Sequence, residues 1–162
     1  MNNCFTSINN SDRQMLRVAD EFVVTGTESV VEMLVWALLI MATNQDHQKH
    51  VHEEILKVIG KKSPSMADRN KLTYTEAVLH EIYRYSSFIL FVIRRSTEQF
   101  QVNGFDVPEN AIVYANLYAT NRDPKIWQDP EKFNPENFLE RGTNKKIVNT
   151  EYIIPYSLGI LI

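Results

Sequence analysis

The stretch Leu72 to Ser86, LTYTEAVLHEIYRYS, carries more structural information than any other of its length in the chain. Thr73-Tyr74-Thr75-Glu76 has the spacing of a capping box, in which a hydroxyl and a carboxylate three residues on satisfy each other's backbone N–H groups and start a helix. From there Tyr74, Ala77, Val78, Ile82 and Tyr85 recur at helical spacing and form one apolar stripe, which predicts a helix to about Tyr85. Glu81 falls on that stripe. A carboxylate on a core-facing stripe needs a partner, and Arg84, one turn on, can grip it with a two-pronged guanidinium fork. Most Glu/Arg pairs at this spacing are ordinary surface contacts. The position of Glu81 among apolar residues points the other way.

Upstream, apolar residues recur at helical spacing from Met15 to Ala42 and become nearly continuous, so a long helix is expected there. Gly26 interrupts its middle, which suggests a bulge or a close approach, since an interior glycine costs about 1 kcal/mol against alanine. The most apolar run, Met33 to Ala42, is shorter than the ~20 residues of a bilayer span. It reads as a buried core helix, and no membrane anchor is expected in the chain. A second helix is expected from Asp46 to Ile59, with Asn44 as its cap and Gly60 as its stop. Residues 61–72 form a polar linker. Downstream the period changes: Leu90 to Arg95 reads as a strand, Phe100 to Val107 as a hairpin about Asn103-Gly104, and Ala111 to Ala119 as a strand-like or short helical run. From Asn121 the Asp-Pro and Asn-Pro pairs, with Trp127, Phe133 and Phe138 between them, predict an irregular segment pinned by aromatics.

Composition narrows the function. A chain of 162 residues with 44% hydrophobic content can bury a core, and a formal net charge of −3 without Lys/Arg clusters argues against a nucleic-acid partner. The one cysteine, Cys4, rules out an internal disulfide. Residues 1–14 are polar, without the layout of a secretory signal, and are expected to be poorly ordered; residues 15–162 are expected to form one partial domain. His47, His50 and His52, with Glu53 and Glu54, raise the question of a metal site. His52 points away from the face His47 and His50 share, so a solvated helix face is the better reading.

Several segments together resemble the cytochrome P-450 heme-thiolate monooxygenases, with the likeness running over roughly residues 16–159 and strongest to animal microsomal members. Glu81-Ile82-Tyr83-Arg84 resembles the E-x-x-R helix of that family. Phe133-Asn134-Pro135-Glu136-Asn137-Phe138 is similar to its F-x-P-E-R-F segment, and Thr25-Gly26-Thr27-Glu28-Ser29 to the A/G-G-x-D/E-T run of its long oxygen-activating helix. Tyr156-Ser157-Leu158-Gly159 resembles the start of the F-x-x-G-x-R-x-C loop. By that count the heme-ligating cysteine would fall one residue beyond Ile162, and Leu161 stands where arginine is usual.

The resemblance implies a mainly α fold with a small antiparallel β portion, part of the P-450 fold from the long helix to the start of the cysteine loop. It implies heme as cofactor, an NADPH-dependent reductase and a small apolar substrate as partners, and the endoplasmic reticulum membrane as location. By the same resemblance Glu28 and Ser29 relay protons and Gly26 leaves room for oxygen. Glu81 and Arg84 form a structural ion pair, and Arg95, with Tyr156 and Gly159, lies against the heme; Arg94 is a weaker match. Three departures stand out. Ser29 replaces threonine, so a looser relay is expected; Asn137 replaces the arginine that completes the ion pair, so a pair held largely by itself is expected; and the usual prolines are missing between Ser86 and Ile93. Without a ligand cysteine, the 162 residues are expected to be inactive and not to hold heme stably. The alternative is a non-catalytic helical binding module or a decayed gene product.

Overall fold

The computed structural model describes residues 10–143 and 146–153. Its longest element, α1 (Asn10–Thr43), is one uninterrupted helix of 34 residues. α2 (Gln45–Val58) and α3 (Thr73–Ser86) follow, joined by a 3-10 turn at Met66–Lys71. Next come β1 (Phe91–Arg95), the hairpin strands β2 (Phe100–Val102) and β3 (Phe105–Val107), then β4 (Ile112–Asn116) running into the one-turn helix α4 (Leu117–Thr120). The rest is irregular apart from 3-10 turns at Pro135–Phe138 and Thr150–Tyr152. The fold is thus mostly helical with a small antiparallel β portion.

The β portion is two separate pairs. β1 lies antiparallel to β4, with Phe91 opposite Asn116 and Arg95 opposite Ile112. β2 and β3 pair across Asn103 (φ 49°) and Gly104 (φ 85°). Two successive positive φ values match the right-handed twist of the flanking strands, which is why Asn-Gly directs a tight hairpin.

α3 organises the core because it is buried on two sides. Ala77 packs with Trp127, Phe138 and Leu139 from the irregular segment. On the adjoining face Val78 and Ile82 pack with Ile40 of α1, flanked by Met33, Trp36, Ala37 and Met41.

Two local expectations change. The Thr73–Glu76 capping box does not form, because the Glu76 carboxylate is drawn instead to the Arg69 guanidinium. The N-terminus of α3 is capped from another helix: Glu54 of α2 accepts from the backbone N–H of Tyr74 and of Thr75, both at 2.8 Å, and from the Thr75 hydroxyl at 2.7 Å. A reciprocal box forms instead at the preceding 3-10 turn, between Ser65 and Asp68. Asn44 occupies the cap position of α2 but turns its amide back onto the Ile40 carbonyl (2.8 Å).

The long helix also corrects the expectation of a buried core element. Of its apolar side chains Ile40 alone is buried, and Phe22 (77% exposed) and Leu38 (72%) face solvent. From Met33 to Ala42 apolar residues surround α1 on all sides, whereas the described residues cover one side there. Nor does Gly26 mark a close approach among the described residues, since a Cβ there would meet none of their atoms within 4 Å. By length and composition α1 would suffice to cross a bilayer, with an 18-residue window of mean hydropathy 1.7. Glu28 and Glu32 in its middle oppose that, as a carboxylate at a bilayer centre costs roughly 3 kcal/mol or more.

Candidate functional site

The buried polar centre is built on α3. Glu81 and Arg84 are both fully buried, and their side chains meet as a two-pronged fork: Arg84 Nε donates to Oε2 and Nη2 to Oε1, each at 2.7 Å. The pair is not held by itself, contrary to expectation. Arg84 Nη1 donates to the carbonyls of Asn121 and Pro130 (2.8 Å each), Nη2 donates to the carbonyl of Lys132 (2.9 Å), and Glu81 Oε1 accepts from the backbone N–H of Asn134 (2.7 Å). The guanidinium also lies 5.6 Å from the centre of the Trp127 ring. A second arginine is unnecessary because the irregular segment 121–134 turns its own backbone dipoles onto the fork. Burial pushes the Glu81 carboxyl above its ordinary range, against the opposing pull of Arg84. The fork ties α3 to residues 121–134 through these backbone groups.

Asn137 stands beside this centre. Its amide nitrogen is buried without a hydrogen-bond partner among the described residues, although it lies close enough to Glu81 to favour the carboxylate slightly. Its backbone carbonyl accepts from Asn149 (2.7 Å).

Gly26, Glu28 and Ser29 lie together on α1, and among the described residues no hydrogen bond or ion pair connects them to α3 or β1. The Ser29 hydroxyl donates to the Thr25 carbonyl at 2.7 Å, one turn back along the helix. This is the back-bond to the preceding turn that serine and threonine both make within helices. Gly26 and Ser29 line an open groove of about 400 Å³ with Val18, Glu21, Phe22 and Thr25, and Glu28 is exposed beside it.

Arg94 and Arg95 end β1, both exposed, and as neighbours on a strand they project to opposite faces. Arg94 donates to its own neighbour's carbonyl, Ile93 (2.9 Å), and Arg95 has no ion pair among the described residues. Cys4, Tyr156 and Gly159 lie outside the described residues.

Two of the three histidines of α2, His47 and His50, pack against Tyr74. His47 Nδ1 shares a 2.7 Å hydrogen bond with the Tyr74 hydroxyl, and His50 meets the Tyr74 ring edge-on, so this face is only partly solvated. Burial pushes the Tyr74 hydroxyl up to about 12 and the His47 imidazole below its ordinary value. Among the described residues no group of three or more His, Cys, Asp or Glu side chains could hold a metal ion.

Sequence reasoning missed the carbonyls of Asn121, Pro130 and Lys132, which carry no side-chain signature, and the cap supplied by Glu54. It also missed Ser87 and Arg122 beyond the end of α3.

A family model described as Cytochrome P450 matches residues 6–160. The chain belongs to the cytochrome P450 family. Its P450 relatives include Cytochrome P450 2J5 of Mus musculus, 39% identical over 156 residues, which is 95% of this chain and 30% of the mouse protein. Cytochrome P450 2J1 of Oryctolagus cuniculus is 41% identical over 156 residues, again 95% and 30%. Cytochrome P450 1A1 of Cavia porcellus is 36% identical over 152 residues, 92% of this chain and 29% of that protein. The chain therefore spans less than a third of the length of these P450 relatives. The family uses heme iron, and the mostly helical fold agrees with a P450 segment.

Proposed function

We propose that this chain is a segment of a heme-dependent monooxygenase that inserts one oxygen atom from O2 into a small apolar substrate. The observation that supports it best is the buried Glu81–Arg84 fork, placed within a chain that matches the P450 family over almost its whole length. Heme, when bound, supplies the binding and reductive activation of oxygen.

The residues present fit that group at two points. Arg95 offers an exposed guanidinium without an ion pair among the described residues, suited to a propionate carboxylate. The groove at Gly26 offers the apolar side chains of Val18 and Phe22 beside the hydroxyls of Thr25 and Ser29 and the Glu21 carboxylate. In this reading the absent Cβ of Gly26 leaves space against α1. Ser29 holds a proton at Oγ, donated at rest to Thr25 O, and Glu28 exchanges protons with solvent as the outer member of the relay. Glu81 and Arg84 touch no substrate; they fix residues 121–134 against α3. Electrons come from an NADPH-dependent reductase, and the endoplasmic reticulum membrane is the proposed location.

The thiolate that such chemistry needs is supplied by none of residues 5–162, which contain no cysteine. The 162 residues alone are therefore proposed to be inactive. The roles of Ser29 and Glu28 are tested in a heme-loaded enzyme that carries this segment. Ser29→Ala and Glu28→Gln each lower product formed per reductant consumed by roughly tenfold or more, general acid–base catalysis typically contributing ~100-fold or more. Unchanged coupling in both variants would contradict the relay.

A further inference from the structure

The exit of α3 is the least ordinary piece of backbone near the proposed site. Ser87 follows the last residue of the helix at φ 43°, ψ 40°, a left-handed conformation uncommon for a residue that is neither glycine nor asparagine. It is nonetheless only 2% exposed. Its hydroxyl is fully used: Oγ donates to the Arg84 carbonyl (2.7 Å) and accepts from Asn121 Nδ2 (3.1 Å) and Arg122 Nη1 (2.9 Å). Arg122 in turn donates from Nη2 to the Tyr85 carbonyl (3.1 Å) and lies over the Tyr118 ring, 4.0 Å from its centre. One residue away, the Asn121 carbonyl accepts from Arg84. A single serine therefore joins the end of α3, the buried ion pair and the turn after α4.

What leaves this junction is the segment Phe88–Leu90, which leads into β1 and so to Arg95. The segment is tied at its far end as well, where the Leu90 carbonyl accepts from Leu117 and Tyr118 (3.0 and 3.3 Å). Between the two ties, Ser87, Phe88 and Ile89 line a small apolar groove of about 100 Å³ with Leu117 and Thr120. The stretch Ser86–Ile93 contains no proline that would stiffen it by fixing φ.

We propose that Ser87 is a positioning residue: its hydroxyl, clamped by Asn121 and Arg122, sets the direction in which the chain leaves α3 and thereby places the Phe88–Phe91 wall and Arg95. The proposal deepens the monooxygenase reading and rests on it only for calling that wall substrate-facing. The placement itself is read without heme, so failure of one is separable from failure of the other.

The test is amide hydrogen exchange by mass spectrometry on the whole chain. Ser87→Ala keeps a Cβ and the same backbone strain but removes the clamp. Exchange across residues 88–95 is expected to rise at least tenfold, while α2 and residues 125–139 stay as in the parent. Ser87→Asn tolerates left-handed backbone and restores both donor and acceptor, and it should return protection to within about threefold. Asn121→Ala removes one clamp arm, with a smaller rise confined to the same peptides. Unchanged exchange at 88–95 in Ser87→Ala, a uniform rise across all elements in both Ser87→Ala and Asn121→Ala, or no rescue by Ser87→Asn would each overturn the proposal.

Discussion

Replacing both members of the Glu81–Arg84 pair by apolar residues should not rescue the loss caused by removing one. Glu81→Gln leaves a buried guanidinium without its counter-charge, which costs about 3–5 kcal/mol. In most proteins the double replacement, here Glu81→Leu with Arg84→Met, would be near neutral or even stabilising, because it removes the desolvation cost of both charges. This site differs in what else the two side chains hold. Arg84 satisfies the carbonyls of Asn121, Pro130 and Lys132, and Glu81 satisfies the N–H of Asn134. The double variant removes these partners from all four part-buried groups, and at about 1 kcal/mol for each lost hydrogen bond the loss is on the order of 4 kcal/mol. That is comparable to the single loss and a large part of the ~5–15 kcal/mol by which a domain is stable. Urea unfolding, followed by circular dichroism and by emission of the buried Trp127, measures both variants. A double variant within about 1 kcal/mol of the parent would refute the view that the fork exists to serve the backbone of 121–134.

Glu54→Ala removes the acceptor shared by two N–H groups and a hydroxyl at the start of α3, and should lower stability in the same assay by about 2 kcal/mol, with Glu54→Gln losing less because it keeps an acceptor oxygen. Stability should also depend on pH through His47, whose folded pKa is lowered chiefly by burial and then by His50, with Asp46 and Glu136 opposing. The unfolded chain therefore takes the proton first. The contribution of His47 is fully present above its unfolded pKa of 6.5 and is lost as pH falls from there through the lower folded value. His47→Phe should flatten the stability-versus-pH curve in that window, and an equally steep curve would show that another group is responsible.

The parts of the fold legible in the sequence are those fixed by local chemistry. The stripe of α3 exposed Glu81 as a carboxylate in an apolar setting, and Asn103-Gly104 announced its hairpin because few residues accept two positive φ values in succession. Motif order made the family legible as well. The partners of Arg84 were not, since they are backbone carbonyls 37 to 48 residues away and any residue type could supply them. Glu54 read as part of a polar helix face, and nothing local distinguishes a carboxylate that caps a neighbouring helix from one in water. The exposure of α1 was hidden for the opposite reason: hydropathy records which residues seek cover, and the cover is a property of neighbours. The Thr25 carbonyl that accepts from the Ser29 hydroxyl was likewise invisible in the sequence, being a backbone group.

The most direct test of the heme-monooxygenase reading is the carbon monoxide difference spectrum after reduction with ferric heme supplied. A protein that joins these residues to a cysteine-bearing heme loop should give a thiolate-type band, and the 162 residues alone should give none. A thiolate-type band from the 162 residues alone, or its absence from the cysteine-bearing protein with heme demonstrably bound, would contradict the account.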